Sequence, residues 1–253
     1  MNTKIEQKIA QAPELDFGTI FSNCIELFKK VWLQGLITLV LTLALMLPFY
    51  FIIYTPLIAV DIIDPDAFKN SIDSNPILLI PFVLVFIVFM IFAAAISLAM
   101  QAAFYRICKQ KDLNENTKDD YFYYFKKPYL LKLITLALVT VIISVLCTML
   151  CVLPLIYAIV PVSFFVVVFA FNPEMTVSDI VKTSFKIGNK KWLITFGLIL
   201  VCGVLAQIVG LLMCFVGVFL TSSFSYLPIY FIYKHVVGFN DEESVNDIKE
   251  LEL

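Results

Sequence analysis

Residues 193–233 read LITFGLILVCGVLAQIVGLLMCFVGVFLTSSFSYLPIYFIY, a stretch without a single Asp, Glu, Lys or Arg. A helix needs about 20 apolar residues to cross the hydrocarbon of a bilayer, so this stretch is long enough to cross twice. Residues 133–172 form a second uncharged run of the same kind, and 33–60 and 74–105 two shorter ones. Read as one crossing for each shorter run and two for each longer one, the chain has six spans, at about 33–58, 77–103, 130–150, 154–171, 193–213 and 215–235. Backbone groups in lipid must be satisfied within the chain, which leaves helices or a closed barrel. The runs lack the alternation of barrel strands, so the expected fold is all-α and polytopic.

Composition agrees. Apolar residues make up 61% of the chain and charged ones 15%, against about half and about a quarter in a soluble domain. The formal net charge of −2 says little; the placement of the charges says more. Lys and Arg are retained on the cytoplasmic side of short loops. Lys4, Lys8, Lys29 and Lys30 precede the first span, and Arg106, Lys109, Lys111, Lys118, Lys126 and Lys127 separate the second from the third. Lys182, Lys186, Lys190 and Lys191 precede the fifth span, and Lys234 and Lys249 follow the sixth. Lys69 falls on the other side, in a loop with Asp61, Asp64, Asp66 and Asp73. Both termini are therefore expected in the cytoplasm, with a segment 1–32 before the membrane domain 33–237 and an acidic tail 238–253 after it. The first 32 residues lack the pattern of a cleavable signal peptide.

The chain also repeats itself. Residues 28–39, FKKVWLQGLITL, align without gaps on residues 125–136, FKKPYLLKLITL, with eight of twelve positions identical. A weaker third copy begins Asn189-Lys190-Lys191-Trp192, and its register carries residues 150–154 onto 213–217. Each unit would hold a lead-in, a basic pair, an aromatic residue and two spans. Units with an even number of spans duplicate in parallel, about an axis along the membrane normal.

Phe17, Ile20, Phe21, Cys24, Leu27, Phe28, Val31 and Trp32 follow helical spacing, behind Asp16 as N-cap. Thr176 with Asp179 makes a capping box before Val177, Ile180, Val181, Ser184 and Phe185. Both read as amphipathic helices lying in the inner interface before the chain turns into the bilayer. Lysine snorkelling to phosphates and aromatics at headgroup level make Lys29, Lys30, Trp32, Lys126, Lys127, Tyr129, Lys190, Lys191 and Trp192 candidates for lipid-headgroup contact. Pro48, Pro56, Pro161 and Pro228 interrupt spans, while Pro154 and Gly217 are expected at outer turns.

Catalytic apparatus is missing from the pattern. His235 is the sole histidine, too few for a multi-histidine metal centre. Cys24, Cys108, Cys147, Cys151, Cys202 and Cys214 show no C-x-x-C spacing and read as small hydrophobes. Cys151 and Cys214 occupy equivalent positions in the repeat, the one pair for which an oxidising compartment would allow a disulfide. The loop at 61–66 lacks the ligand spacing of an EF-hand, and no phosphate-binding loop, serine-hydrolase elbow or zinc-protease motif occurs. No cofactor and no nucleic-acid partner are expected. Ion-coupled carriers keep ionisable residues within their spans, and these spans have none except at their ends, where Lys132 lies just inside the third and Lys234 and His235 close the sixth.

The lead-in ending Phe28-Lys29-Lys30-Val31-Trp32, its echo at 184–192 and the closing residues 226–239, YLPIYFIYKHVVGF, give the chain a likeness. It resembles the six-span membrane domain found fused to bacterial glycerophosphodiester phosphodiesterases, and stand-alone relatives of that domain. The resemblance covers nearly the whole chain and rests on architectural motifs; the phosphodiesterase domain is absent, so its activity does not carry over. The expectation is a non-enzymatic protein of a bacterial inner membrane that binds or organises lipids or a membrane-protein partner. The alternative is a permease for a neutral or lipid-like solute.

Overall fold

The computed structural model describes residues 3–63, 70, 73–75, 77, 79–115, 117–150, 153–213 and 216–239. The loop around Asp64 and Asp66, Cys151, Cys214 and the tail beyond Phe239 lie outside the described residues, and so do the expectations placed on them. The described chain is all helical. Its α-helices are α1 (Thr3–Ala10), α2 (Phe17–Ile63), α3 (Leu79–Asp112), α4 (Lys127–Met149), α5 (Leu153–Phe171), α6 (Val177–Lys190), α7 (Trp192–Leu212), α8 (Val216–Thr221) and α9 (Leu227–Val236). Tyr123–Phe125 and Ser222–Tyr226 form 3₁₀ turns.

Among the described residues, five stretches are long and apolar enough to cross a membrane: Phe17–Thr55, Val83–Asp112, Lys127–Met149, Pro154–Phe171 and Trp192–Leu212. Their outer faces carry Leu131, Met149, Leu193 and Leu212, each at least three-quarters exposed. Water does not tolerate an apolar surface of that extent, and lipid does. This is a multi-pass membrane protein.

The core is built from the second helix of each hairpin. Val160, Phe164, Phe165, Val167, Val168 and Phe169 bury the C-terminal two-thirds of α5, and the C-terminal half of α3 and most of α9 close around it. Tyr124 donates to the Ala170 carbonyl (2.6 Å) and Asn172 to the Tyr233 hydroxyl (2.6 Å). Phe171 stacks on Tyr233 and meets Phe239, just beyond Gly238, whose φ of +74° ends α9 in the left-handed conformation.

The caps stand as the sequence reading has them. Asp16 Oδ2 accepts from the Thr19 amide (2.7 Å) and hydroxyl (2.8 Å), which holds its carboxyl below the usual range. Thr176 Oγ1 accepts from the Asp179 amide (3.2 Å).

Four features differ from the sequence reading. The lead-in 17–32 is not a separate interfacial helix: α2 runs without a turn from Phe17 to Ile63, through Pro48 and Pro56. Its stripe of Ile20, Cys24, Leu27 and Val31 is buried in protein, not in lipid, so nothing compels the chain to bend there.

The second difference is in the sixth run, which is helical in pieces. The Pro228 ring would clash with the Phe224 carbonyl in a continuous α-helix; the chain tightens to 3₁₀ over 222–226, and Pro228 falls in the first turn of α9.

Third, α6 lies antiparallel along α5. Phe185 faces Phe165 (6.1 Å between ring centroids), Gly188 approaches Pro161 so closely that a Cβ would stand 2.8 Å from its Cα, and Trp192 Nε1 donates to the Tyr157 carbonyl (3.1 Å). The basic end of α6 thus sits near the 150–153 break, which the sequence reading puts across the membrane from it.

Fourth, the basic pairs do not share one plane. The Phe17 ring lies beside Gly197, while Lys29 borders a cleft with Leu205 and Val209, about 20 Å of helix from Trp192. Small-residue contacts set this register, with Gly35 against Ser223 among them. The Lys29–Lys30 and Lys190–Lys191 pairs therefore lie toward opposite ends of α7.

Candidate functional site: a basic cleft beside Arg106

The interior of α2 at Gln34 and the charged C-terminal end of α3 meet the 113–126 loop. Asp119 is the joint: it accepts from Gln34 Nε2 of α2 (3.3 Å) and pairs with Lys111 of α3 (3.4 Å). Nearby, Asp112 accepts from the Tyr230 hydroxyl (2.7 Å) and pairs with Lys234, which fastens α9 to α3. Asp120 pairs with Lys126 (3.2 Å). Each aspartate of this region has its own cation.

Arg106 has none. It is the only arginine in the chain. Its guanidinium carbon lies over the Tyr123 ring, 3.8 Å from the centroid, and among the described residues no carboxylate comes within salt-bridge distance. A guanidinium offers five donors in a planar fork, suited to a carboxylate or phosphate. Stacking fixes its plane and leaves the fork available.

Beside it opens a cleft of about 220 Å³, lined by Arg106, Lys109, Gln110, Glu115, Thr117 and Tyr123 and closed by Ala170, Phe171 and Pro173 at the end of α5. Gln110 Oε1 is buried there without a hydrogen-bond partner. Glu115 brings a carboxylate to the same cleft without forming a salt bridge to Arg106. In the adjoining loop, burial and the neighbouring Asp119 push the Tyr121 hydroxyl up to about 12. The guanidinium fork of Arg106 suits an anion with several oxygens, while Gln110 Oε1 and the Glu115 carboxylate are acceptors that call for a donor.

The residues named from sequence are dispersed. Lys126 and Tyr129 adjoin the cleft: Lys126 Nζ stands 4.8 Å over the Tyr123 ring, and the Tyr129 and Tyr123 hydroxyls are 3.2 Å apart. Lys127 is exposed at the start of α4, and Lys29, Lys30 and Trp32 are exposed on α2. Lys190 donates to the Ile9 and Ala10 carbonyls and Lys191 to the Pro13 carbonyl (2.6 Å each); these two hold α1 in place. Trp192 stacks on Phe196 at 4.9 Å.

Sequence reasoning passed over Arg106, Lys109 and Gln110. The signal was a lone arginine among eighteen basic residues, placed directly after an uncharged run.

Compared with protein-family models, with curated proteins and with solved structures, the chain matches none.

Proposed function

We propose that this multi-pass protein is a non-enzymatic component of a bacterial inner membrane, both termini cytoplasmic, that binds the phosphate of an anionic lipid headgroup in the cleft beside Arg106. The observation that carries the reading is the stacked guanidinium without an acidic partner among the described residues, in a region where Asp112, Asp119 and Asp120 each have a cation. Its position supports a headgroup rather than an acyl chain, because the uncharged run of α3 ends immediately before it. The distribution of Lys and Arg supports the orientation. A second feature suits lipid: an apolar cleft of about 270 Å³ between α2 and α7, lined by Phe21, Ile25, Phe28 and Leu205, with Lys29 at its edge. The resemblance to a phosphodiesterase-linked membrane domain supports an architecture and brings no activity with it.

The test is retention of lipid in native nanodiscs, read by native mass spectrometry, with wild type and Arg106→Gln compared in mixtures of phosphatidylglycerol and phosphatidylcholine. Wild type should keep phosphatidylglycerol selectively and the variant should lose that selectivity. Competition by millimolar inorganic phosphate in phosphatidylcholine nanodiscs separates a headgroup site from a site for free phosphate. Equal retention in both proteins, with no phosphate binding, would refute the reading.

A further inference from the structure

A second polar pocket lies inside the α2–α3 hairpin, away from the Arg106 cleft. It has a volume of about 120 Å³ and is lined by Thr38 and Thr42 of α2, Ser97 and Gln101 of α3, and Ser223 and Tyr226 of the 3₁₀ turn. Gln101 is five residues from Arg106 and Thr38 eight from Lys30, so the pocket sits about 8–12 Å along the helices from the charged end. At that depth a polar side chain facing lipid is costly, and polar lining marks a pathway or a binding place. None of these side chains is ionisable near neutral pH.

Four independent features converge on a ligand. Ser223 Oγ is buried, with the residue 3% exposed, and has no hydrogen-bond partner. The Thr38 and Thr42 hydroxyls donate to the carbonyls of Gln34 and Thr38 (2.7 Å each), which leaves their lone pairs free as acceptors. Gln101 makes only a long 3.5 Å contact with the Tyr105 hydroxyl. The return helix is broken at this point, over Ser222–Tyr226. Interrupted helices within membranes are tolerated where they line a cavity, and in transporters they form the solute site.

We propose that this pocket binds a small neutral polyol, with Gln101 as its principal hydrogen-bonding group and the Thr38 and Thr42 hydroxyls as acceptors, while Ser223, pressed against Gly35, gains a partner only if its hydroxyl turns toward the ligand. The volume equals the share of about four water molecules. A charged solute would find no counter-charge here. A polyol both donates and accepts, matching a wall that offers hydroxyls and an amide, and its carbon backbone meets Gly35, Leu39 and Phe104.

The experiment uses glycerol and the full chain in phosphatidylcholine nanodiscs, which contain no anionic lipid, with empty nanodiscs as reference. Saturation-transfer NMR should show a saturable glycerol signal for wild type. Gln101→Leu should weaken the dissociation constant about tenfold, the worth of one buried hydrogen bond. Ser97→Ala, an exposed rim position that does not disturb packing, should weaken it less, in a protein that melts like wild type. A wild-type signal no larger than that of empty nanodiscs, as for a pocket holding water only, would overturn the proposal. So would equal affinity in wild type and both variants.

Discussion

A Cβ built on Gly35 would stand 2.1 Å from the Ser223 hydroxyl oxygen and 3.4 Å from a carbon of the Phe104 ring. Helices α2 and α3 and the 3₁₀ turn meet at a point that admits no side chain at position 35. Gly35→Ala must push the turn away, and overpacking of this kind costs about 1–3 kcal/mol. Gly203 of α7 has nothing within 4 Å of its would-be Cβ, so Gly203→Ala should be neutral or raise stability by about 1 kcal/mol through helix propensity. Melting followed by intrinsic fluorescence in detergent should therefore separate the two variants in opposite directions. A Gly35→Ala protein that melts like wild type would mean that the helices do not approach this closely.

Among the described residues Asp112 is the carboxylate that ties α9 to α3, through Tyr230 and Lys234. Its side chain is 17% exposed and that of Lys234 32%. Asp112→Asn keeps the shape and removes the charge, which leaves a half-buried ammonium poorly matched. The expected loss is about 1–3 kcal/mol, the range for a charged hydrogen bond broken out of bulk water. The Lys126–Asp120 pair is 58% and 42% exposed, and Lys126→Gln should cost about 0–1 kcal/mol. Hydrogen exchange along α9 should accelerate in the first variant and stay unchanged in the second.

The elements read most clearly from sequence were those whose signal is local. The uncharged runs mark α3, α4, α5 and α7, and the Thr176 cap with its stripe marks α6, because hydropathy and capping act within a few turns of one helix. What sequence could not show is how helices slide along one another. The repeat of Phe28–Leu39 at 125–136 suggested that equivalent residues share a depth, yet depth is set by pairs such as Gly35 with Ser223 and Gly188 with Pro161, which no local pattern encodes. The same limit explains the site. Lys190 and Lys191 looked like headgroup anchors because Lys beside Trp usually is; their carbonyl partners lie at Ile9, Ala10 and Pro13, about 180 positions away in the chain. Arg106 was counted only as one more positive charge, since its lack of an acidic partner appears once Asp112, Asp119 and Asp120 are seen to have theirs.

Lys190 closes the C-terminal end of α1 by donating to two of its final carbonyls, and Lys186 pairs with Glu6 on the same helix. Lysine at a helix C-terminus satisfies carbonyls that have no partner in the helix. Lys190→Met should therefore free α1, and amide exchange over residues 4–12 should rise toward that of an unstructured segment. Phosphatidylglycerol retention should fall in Arg106→Gln and not in Lys190→Met. Loss of lipid in Lys190→Met with α1 still protected would restore the headgroup role that the Lys-Lys-Trp motif suggested.

Lys118 lies in the loop at the Arg106 end of the α2–α3 hairpin, and Lys191 begins α7 near the break between α4 and α5. If α7 stood upright in the bilayer, its length of about 30 Å would place Lys191 and the level of Lys29 on opposite faces. Positive charge in short loops is strongly biased to the cytoplasmic face, and α6 carries Lys182, Lys186 and Lys190 with Lys191 following. The two constraints are met together when α7 and the α5–α6 pair are inclined, with the charged side of α6 toward the cytoplasm. In a background without native cysteines, Lys118→Cys and Lys191→Cys should both react with a membrane-impermeant maleimide only in inside-out vesicles. Reaction of Lys191→Cys in right-side-out vesicles instead would place α7 upright and put a lysine-rich segment on the outer face, against the charge rule that orients the rest of the chain.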